Sequence, residues 1–537
     1  MNPLPKGLRA ALICLTLLIA VAAQGQAAQG QAAQGQATQG QAAQGRDAQR
    51  QDAAHGQDAI QTLYRYLDQA AQDHQFNGNI LLARDGRVVY KRSYGYSDFP
   101  NESPLNDSSQ FPLASISKTF TAVAILQLLE KGKLKLDDPY KRYFPAFPYP
   151  TITIRQLLSH TSGLPDDLFD RPVAQNPDKI YTNADDLPTI RDYAKTRSLL
   201  FTPGERWSYC SFGYQLLADL VGKLSNEPFP AYLKKHVFIP AGMLSTYVQT
   251  SLTQTKEPHR TENYLYNNHY EMKLQLGDTV ADKREWAYNL SGGVGAGNVV
   301  STTGDLLRYD EALYNGVLLK PATLELAFTP TKVNNGGFSH AASGSSEGLG
   351  WFIFGDTGRG TIVWHSGAAP GVVTLFARNI SRHETFIILA NVVYDPSMYR
   401  DLLDIINDKQ LEYRKSLGFL FARDLYRQGI DYAVAHLDLL KSDTTQYTLR
   451  EDNFERAALE FSRDYWHSQN LALQTYELMT FLYPKDAHIY RLYADLLSTG
   501  RVRNKDAAIL LYKHALELDP ADEKSKARLE QMLGPNR

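Results

Sequence analysis

Cysteine is scarce in this chain of 537 residues, which contains only Cys14 and Cys210. The two lie far apart in the sequence, so no disulfide framework is expected. Neither belongs to a Cys/His cluster with the spacing of a zinc site. The chain also lacks a glycine-rich loop of the P-loop or dinucleotide type. We therefore expect neither a metal nor a cofactor.

An excess of positive charge is absent as well. The chain has 56 Lys and Arg against 58 Asp and Glu, for a net charge of −2. This balance gives no basic footprint for nucleic acid, and no nucleic-acid partner is expected. Beyond the N-terminus, no apolar run is long enough to span a bilayer. The sequence thus predicts no stable membrane span once an N-terminal signal has been removed.

Residues 1–23 have the pattern of a signal peptide. Lys6 and Arg9 precede the apolar run Ala10–Val21, and small residues suited to cleavage follow. A retained membrane anchor is the alternative. If the source is bacterial, a cleaved signal predicts a periplasmic or secreted protein.

A linker is predicted at residues 24–56. From Gln24 to Gly45 the pentapeptide Gln-Gly-Gln-Ala-Ala repeats. It has no large apolar side chains and cannot bury a core, so we interpret it as a disordered tether.

The segment 57–410 carries the signals of a mixed domain. Asn79–Arg84 and Arg87–Arg92 flank Asp85-Gly86, which predicts a β-hairpin. Four further apolar segments with short turns between them predict an antiparallel meander. These are Gly348–Phe354, Thr361–Gly367, Gly371–Ala377 and Thr385–Asn391.

Ser115 and Lys118 form a Ser-x-x-Lys motif at the start of a run with the periodicity of an amphipathic helix. On a helix, residues three apart lie on one face, so the amine of Lys118 can reach the hydroxyl of Ser115. A serine hydroxyl needs a neighbouring base, and a lysine serves as one only if its pKa is lowered. The alternative is a helix cap followed by an exposed lysine.

Further candidate residues lie downstream. Tyr209 and Ser211 are predicted on a turn just before a helix, where a tyrosine beside a lysine can exchange a proton. His160 follows a short predicted helix, and we interpret it as a helix cap, with a catalytic role as the alternative. His365 is predicted on a strand, and Gly367 would let a substrate lie against that strand.

Three motifs occur together in one order: Ser115-Ile116-Ser117-Lys118, Tyr209-Cys210-Ser211 and His365-Ser366-Gly367. This set resembles the serine β-lactamase and penicillin-binding-protein superfamily. The closer resemblance is to its branch of class C β-lactamases, D-alanyl-D-alanine carboxypeptidases and esterases. It covers roughly residues 57–410 and implies an α+β fold, with an antiparallel sheet flanked by helices and an all-α subdomain.

The resemblance also implies a role for each residue. Ser115 would be the nucleophile that forms an acyl-enzyme, and Lys118 would accept its proton with help from Tyr209. The backbone N–H groups of Ser115 and Ala368 would form the oxyanion hole. The remaining implied substrate-binding residues are Ser211, His365 and Gly367.

Two departures from the family pattern shape the expected activity. Ser211 stands where the family usually has Asn, which weakens recognition of a substrate amide. His365 stands where β-lactamases have Lys, so no permanent cation would hold a substrate carboxylate. We expect an exported serine hydrolase for a peptide, such as a D-amino-acid peptide of the cell wall, or an ester. The alternatives are a catalytically weak fold that acts as a binding protein, and a true β-lactamase.

Residues 411–537 are predicted to form a separate all-α domain. Ala472, Tyr476 and Met479 recur 36 residues later as Ala508, Tyr512 and Ala515. This spacing resembles the tetratricopeptide repeat, whose usual period is about 34 residues. Such helix pairs stack around a binding face, so a protein partner is one expectation. A plain helical bundle is the alternative.

Overall fold

The computed structural model describes residues 59–168, 182–250, 257–277, 294–341, 344–355, 360–393, 398–407, 409–463, 469–499 and 503–534. The predicted signal peptide and linker lie outside these residues. The chain divides into two compact units. The first holds the described residues from 59 to 265 and those of Gln275–Leu411. The second comprises Tyr266–Leu274 and the residues from Glu412 onward.

A seven-stranded antiparallel sheet organises the first unit. Its strands are β1 (Gly78–Arg84), β2 (Arg87–Tyr94), β3 (Ser346–Glu347), β4 (Phe352–Phe354), β5 (Ile362–Ala369), β6 (Val372–Asn379) and β7 (Glu384–Ala390). They lie side by side in the order β3-β4-β5-β6-β7-β1-β2. The hairpin from the start of the unit therefore completes a sheet whose other strands come from its end.

The predicted hairpin and meander are both confirmed. Asp85 and Gly86 have φ of 49° and 70°, the left-handed conformations that a tight two-residue hairpin turn requires. The meander pairs β4, β5, β6 and β7 in sequence. Its first strand, Phe352–Phe354, is shorter than predicted. Before this strand, Gly350 (φ 95°) packs against the helix Ser117–Glu130, where a Cβ would lie 2.6 Å from that of Ala122.

Helices cover the sheet and form a helical subdomain, and short strands join these parts. The α-helices are 59–72, Ser117–Glu130, Ile154–Leu158, Asp186–Thr196, Ser211–Ser225, Phe229–Leu233, Ile239–Ala241, Thr303–Tyr314, Pro321–Ala327 and Met398–Ile406. Single turns of 3₁₀-helix lie at Ala114–Ile116, Tyr140–Arg142, Asp166–Leu168 and Asn183–Asp185, and a π-turn lies at Lys234–Phe238. The short strands are Tyr96–Asp98, Ser103–Pro104, Phe111–Pro112, Tyr247–Val248, Tyr264–Tyr266, Leu274–Leu276, Val299–Ser301 and Val392–Val393.

The helix Ser117–Glu130 is buried on all sides rather than amphipathic, so that prediction is wrong. Every residue from Ser117 to Leu128 is buried. The ring of Phe120 stacks on Tyr309 at 4.2 Å and meets Phe238 edge-on at 5.7 Å. The helix lies inside the main core cluster of the unit, which explains why apolar residues occupy all of its faces.

The described part of the second unit is mainly helical, and it contains a pair of short parallel strands, Lys415–Ser416 and Tyr447–Thr448. The repeated residues of the two sequence segments are all buried, and they lie on the helices Gln469–Leu482 and Lys505–Leu518. The tetratricopeptide assignment stays a prediction. The other helices are Leu417–Gln428, Ile430–Leu440, Glu451–Arg463, Ala487–Thr499 and Glu523–Leu533.

The segment Tyr266–Leu274 belongs to the core of this helical unit. The His269 ring stacks on Phe419 at 4.1 Å, and its Nδ1 lies 2.6 Å from Oε1 of Glu460. Tyr270 stacks on Phe461 at 4.4 Å and is buried. The helical unit therefore depends on a peptide from the middle of the chain. Within the described ranges, no helix combines the length and apolar character needed to cross a membrane.

A buried ion pair fastens the helix Thr303–Tyr314 to the sheet. Asp310 on that helix accepts hydrogen bonds from Arg378 on β6 and, at 2.6 Å, from Thr385 on β7. The Arg378 guanidinium also lies 3.6 Å from the ring centroid of Tyr314. Both charged side chains are nearly inaccessible to water.

We expect Arg378→Met to lower the free energy of unfolding by about 3–5 kcal/mol, because it leaves the Asp310 carboxylate buried without its cation. Urea unfolding followed by circular dichroism measures this loss. The control is Arg92→Met, which breaks the exposed ion pair with Asp68 and should leave the midpoint unchanged. Equal losses of stability from the two substitutions would show that the buried Arg378–Asp310 pair does not hold the helix to the sheet.

Candidate active site

Ser115 lies in a turn of 3₁₀-helix, Ala114–Ile116, directly before the buried helix. The contact between Ser115 and Lys118 was predicted from the spacing of residues on an α-helix, but Ser115 precedes the α-helix itself. Ala114 has φ of 45°, a left-handed conformation that costs energy for a residue with a side chain. The turn is held in place because Ser117 Oγ accepts the N–H of Val299 at 2.9 Å.

Lys118 is buried at the base of this turn, only 1% exposed, so the alternative of an exposed lysine is wrong. Its Nζ donates to Ser115 Oγ at 3.1 Å and to the Ala296 carbonyl at 2.9 Å. Burial lowers the pKa of the amine to about 8, although the carboxylates of Asp166 and Glu347 oppose this shift. At that pKa roughly one amine in ten is neutral at pH 7 and able to accept a proton.

Tyr209 lies beside the same amine, one turn before the helix Ser211–Ser225. Lys118 Nζ is 4.9 Å from the centroid of the Tyr209 ring. Burial raises the pKa of the phenol, while interactions with the side chains of Ser115 and Ser211 oppose that shift. The phenol therefore keeps its proton near neutral pH, which leaves the partly deprotonated Lys118 as the available base. The structure brings Ser115, Lys118, Tyr209 and Ser211 into one cluster.

His365 lies on β5, which crosses the same region. It is 1% exposed, and its Nδ1–H donates to the Ser366 carbonyl at 2.7 Å. Nε2 has no hydrogen-bond partner among the described residues. Burial, reinforced by the nearby Lys118, lowers the pKa of the imidazole to about 3. His365 is therefore neutral and cannot replace a cation that would hold a carboxylate.

Gly367 allows β5 to lie against the nucleophile turn. A Cβ at this position would lie 2.1 Å from the Leu113 carbonyl oxygen and 3.1 Å from the Ala114 Cβ. Among the described residues, the pairing of β4 with β5 ends at Trp364, and the segment from His365 to Ala369 pairs with β6 alone. Ala368, the predicted oxyanion donor, is exposed on this part of the strand. The arrangement places a strand edge beside the nucleophile.

Two acidic groups of the site were not predicted from the sequence. Glu347 on β3 is fully buried and accepts from Trp207 Nε1 at 3.3 Å. Burial raises the pKa of this carboxyl well above its usual range. Asp166 accepts the Ser211 N–H at 2.6 Å. Glu347 directly precedes the stretch Gly348-Leu349-Gly350-Trp351, the nearest sequence signal that could have drawn attention to it.

His160 ends the helix that it follows, as predicted, and is also part of the site. It comes after the C-cap Ser159 in a left-handed conformation (φ 55°), which lets the Thr161 N–H bond to the Gln156 carbonyl at 2.9 Å. The Nδ1 of His160 accepts the N–H of Cys210 at 3.1 Å, before a different helix. The histidine thus contacts the segment that carries Tyr209.

A serine paired with a buried lysine, beside a tyrosine and a glycine-flanked strand edge, is the arrangement of serine hydrolases that form an acyl-enzyme. The comparison with known proteins leads to the same class. Residues 63–409 match the beta-lactamase family, and the chain belongs to it. It is 37% identical over 345 residues to penicillin-binding protein 4* of Bacillus subtilis, covering 64% of this chain and 74% of that protein.

Solved structures share the fold. A penicillin-binding protein from Bacillus halodurans superposes with a TM-score of 0.53 at 24% identity, covering 64% of this chain and 98% of that one. The D-amino acid amidase from Ochrobactrum anthropi, in complex with D-phenylalanine, gives a TM-score of 0.53 at 24% identity over 65% and 97% of the two chains. The predicted fold class is confirmed.

We expect the rate of serine acylation to rise with pH through about 8, because only the neutral amine of Lys118 accepts the Ser115 proton. Below that value the rate should fall close to tenfold per pH unit. The measurement is the second-order rate of inactivation by a fluorophosphonate across about pH 6–9. A flat profile in this range would exclude Lys118 as the base.

Proposed function

We propose that this protein is an exported serine hydrolase that forms an acyl-enzyme through Ser115. The observation that carries the proposal is the 3.1 Å contact between Ser115 Oγ and the buried amine of Lys118. A lysine buried at this distance from a serine is poised to act as its base rather than to form a surface ion pair. Export rests on the signal peptide predicted at residues 1–23.

The reaction begins when the neutral amine of Lys118 takes the proton of Ser115. The freed Oγ attacks the substrate carbonyl, and the backbone N–H groups of Ser115 and Ala368 stabilise the oxyanion. One such donor is typically worth about 2.7–4 kcal/mol of barrier. The proton then passes from Lys118, with Tyr209 beside it, to the leaving group. A water molecule activated by the same pair hydrolyses the acyl-enzyme.

The substrate we propose is a D-amino-acid amide, peptide or ester without a carboxylate next to the scissile bond. His365 is neutral, so the position where β-lactamases have a lysine offers no cation to a substrate carboxylate. Such a carboxylate would also meet the negative charge of Asp166, which acts on Lys118 in the same site. The fold serves related chemistry in the D-amino acid amidase named above.

Mass spectrometry of the intact protein tests the proposal directly. We expect an adduct with a fluorophosphonate and a more slowly formed adduct with penicillin, because penicillin has a carboxylate beside its scissile amide; both should be absent in Ser115→Ala. The matched control is Ser211→Ala, which removes a hydroxyl of the same cluster and should still be labelled. An adduct that persists in Ser115→Ala would show that another residue is the nucleophile. No adduct with either reagent would support the alternative of an inert binding protein.

A pair of matched substrates tests the proposed substrate class. We expect kcat/KM to be at least tenfold higher for a D-alanyl dipeptide amide than for the same dipeptide with a free carboxylate, since a desolvated like charge costs about 1.4 kcal/mol or more. Release of D-alanine amide or D-alanine is followed by chromatography. A preference for the free carboxylate would contradict the proposal and favour carboxypeptidase activity.

A further inference from the structure

We propose that His160 is a positioning residue that fixes Tyr209 against Lys118 and Ser115. The inference rests on the function proposed above, in which Tyr209 helps to move the proton. It concerns a residue that the sequence predicts as a helix cap, with a catalytic role as the alternative.

His160 holds the chain on both sides of Tyr209. Its carbonyl oxygen accepts the N–H of Ser208 at 2.8 Å. Its Nδ1 accepts the N–H of Cys210 at 3.1 Å. The residues before and after Tyr209 are therefore anchored to a single residue, which restricts rotation of the backbone that carries the phenol.

The imidazole ring also limits where the phenol can lie. The centroids of the His160 and Tyr209 rings are 4.3 Å apart, with the planes tilted by 31°. Lys118 Nζ is 4.9 Å from the Tyr209 ring centroid and 5.7 Å from that of Tyr214. Tyr214 is itself 5.2 Å from the His160 ring. His160 thus packs against both tyrosines that surround the amine.

The backbone of His160 is held in an unfavourable conformation. Its φ is 55°, and the residue is only 1% exposed. Three residues later Gly163 has φ of 77°, and a Cβ there would lie 2.4 Å from the Phe201 carbonyl oxygen. The left-handed conformation ends the helix Ile154–Leu158, and the same turn presents the His160 carbonyl and ring nitrogen to the segment that carries Tyr209.

The protonation state of His160 suits this role. Because Nδ1 accepts a hydrogen bond, the neutral ring carries its proton on Nε2. Burial lowers the pKa of the ring well below its usual value, and Lys118 and His365 add to the effect. The acceptor at Nδ1 therefore persists over the working range of pH.

Two substitutions separate the acceptor from the ring. His160→Asn places an amide oxygen near the position of Nδ1 and tolerates a left-handed backbone, but it removes the ring. His160→Phe keeps a ring and removes the acceptor. We expect the rate of Ser115 acylation by penicillin to fall on the order of 10²-fold in His160→Phe and less in His160→Asn, because small displacements of a catalytic group have effects of this size. Penicillin binding before acylation should be unchanged.

A double-mutant cycle with Tyr209→Phe decides whether His160 acts through the tyrosine. If it does, His160→Asn should have no further effect on acylation once the phenol hydroxyl is gone. Independent, additive losses would overturn the proposal. The control is His383→Asn, since His383 also has a left-handed backbone (φ 54°) but has a side chain that is 61% exposed. It should acylate like the unmodified protein.

Hydrogen exchange gives a readout that does not need activity. Protection of the Ser208 and Cys210 amides should be retained in His160→Asn, and that of Cys210 should be lost in His160→Phe. Unchanged protection in His160→Phe would overturn the anchoring role. If Ser115 reacts with neither the fluorophosphonate nor penicillin, the proposed function fails. The exchange rates of the Ser208 and Cys210 amides would still show whether His160 anchors the segment that carries Tyr209.

Discussion

The burial of the Lys118 amine is the constraint on which the site depends. An ammonium group in a protein interior is costly, and the cost is reduced here by the Ala296 carbonyl, by Ser115 Oγ and by the faces of two tyrosine rings. The same burial makes the amine a usable base. The central helix must be apolar on all sides to exclude water from the lysine it carries. The hydrophobic core therefore sets the environment of the Lys118 amine.

The site also requires that separate backbone segments approach each other closely. The strained turn at Ala114 presents the serine, and Gly367 lets β5 reach that turn. On the opposite side, His160 and Asp166 hold the segment that carries Tyr209. Three separate parts of the chain thus meet around the Lys118 amine. Their positions are set mainly by backbone hydrogen bonds and by glycine, which has no side chain to prevent close approach.

Local patterns allowed much of the fold and the site to be predicted. Asp85-Gly86 specified a hairpin, and alternating apolar runs specified the meander that carries His365. Burial was harder to predict. The run after Ser117 has a helical period, but nothing in it shows that every face is covered. The place of Glu347 in the site and the contact of His160 with it could not be predicted, because they depend on Trp207 and Cys210, which are distant in sequence.

The segment Tyr266–Leu274 affects how this protein could have arisen and how it can be divided. Because His269 and Tyr270 pack among the C-terminal helices, the helical unit is discontinuous in the chain. A gene fusion at residue 411 would not by itself have produced it, since the hydrolase also had to supply nine residues from its middle. Expression of either part alone would leave those aromatic rings, or the helices that enclose them, without their partner.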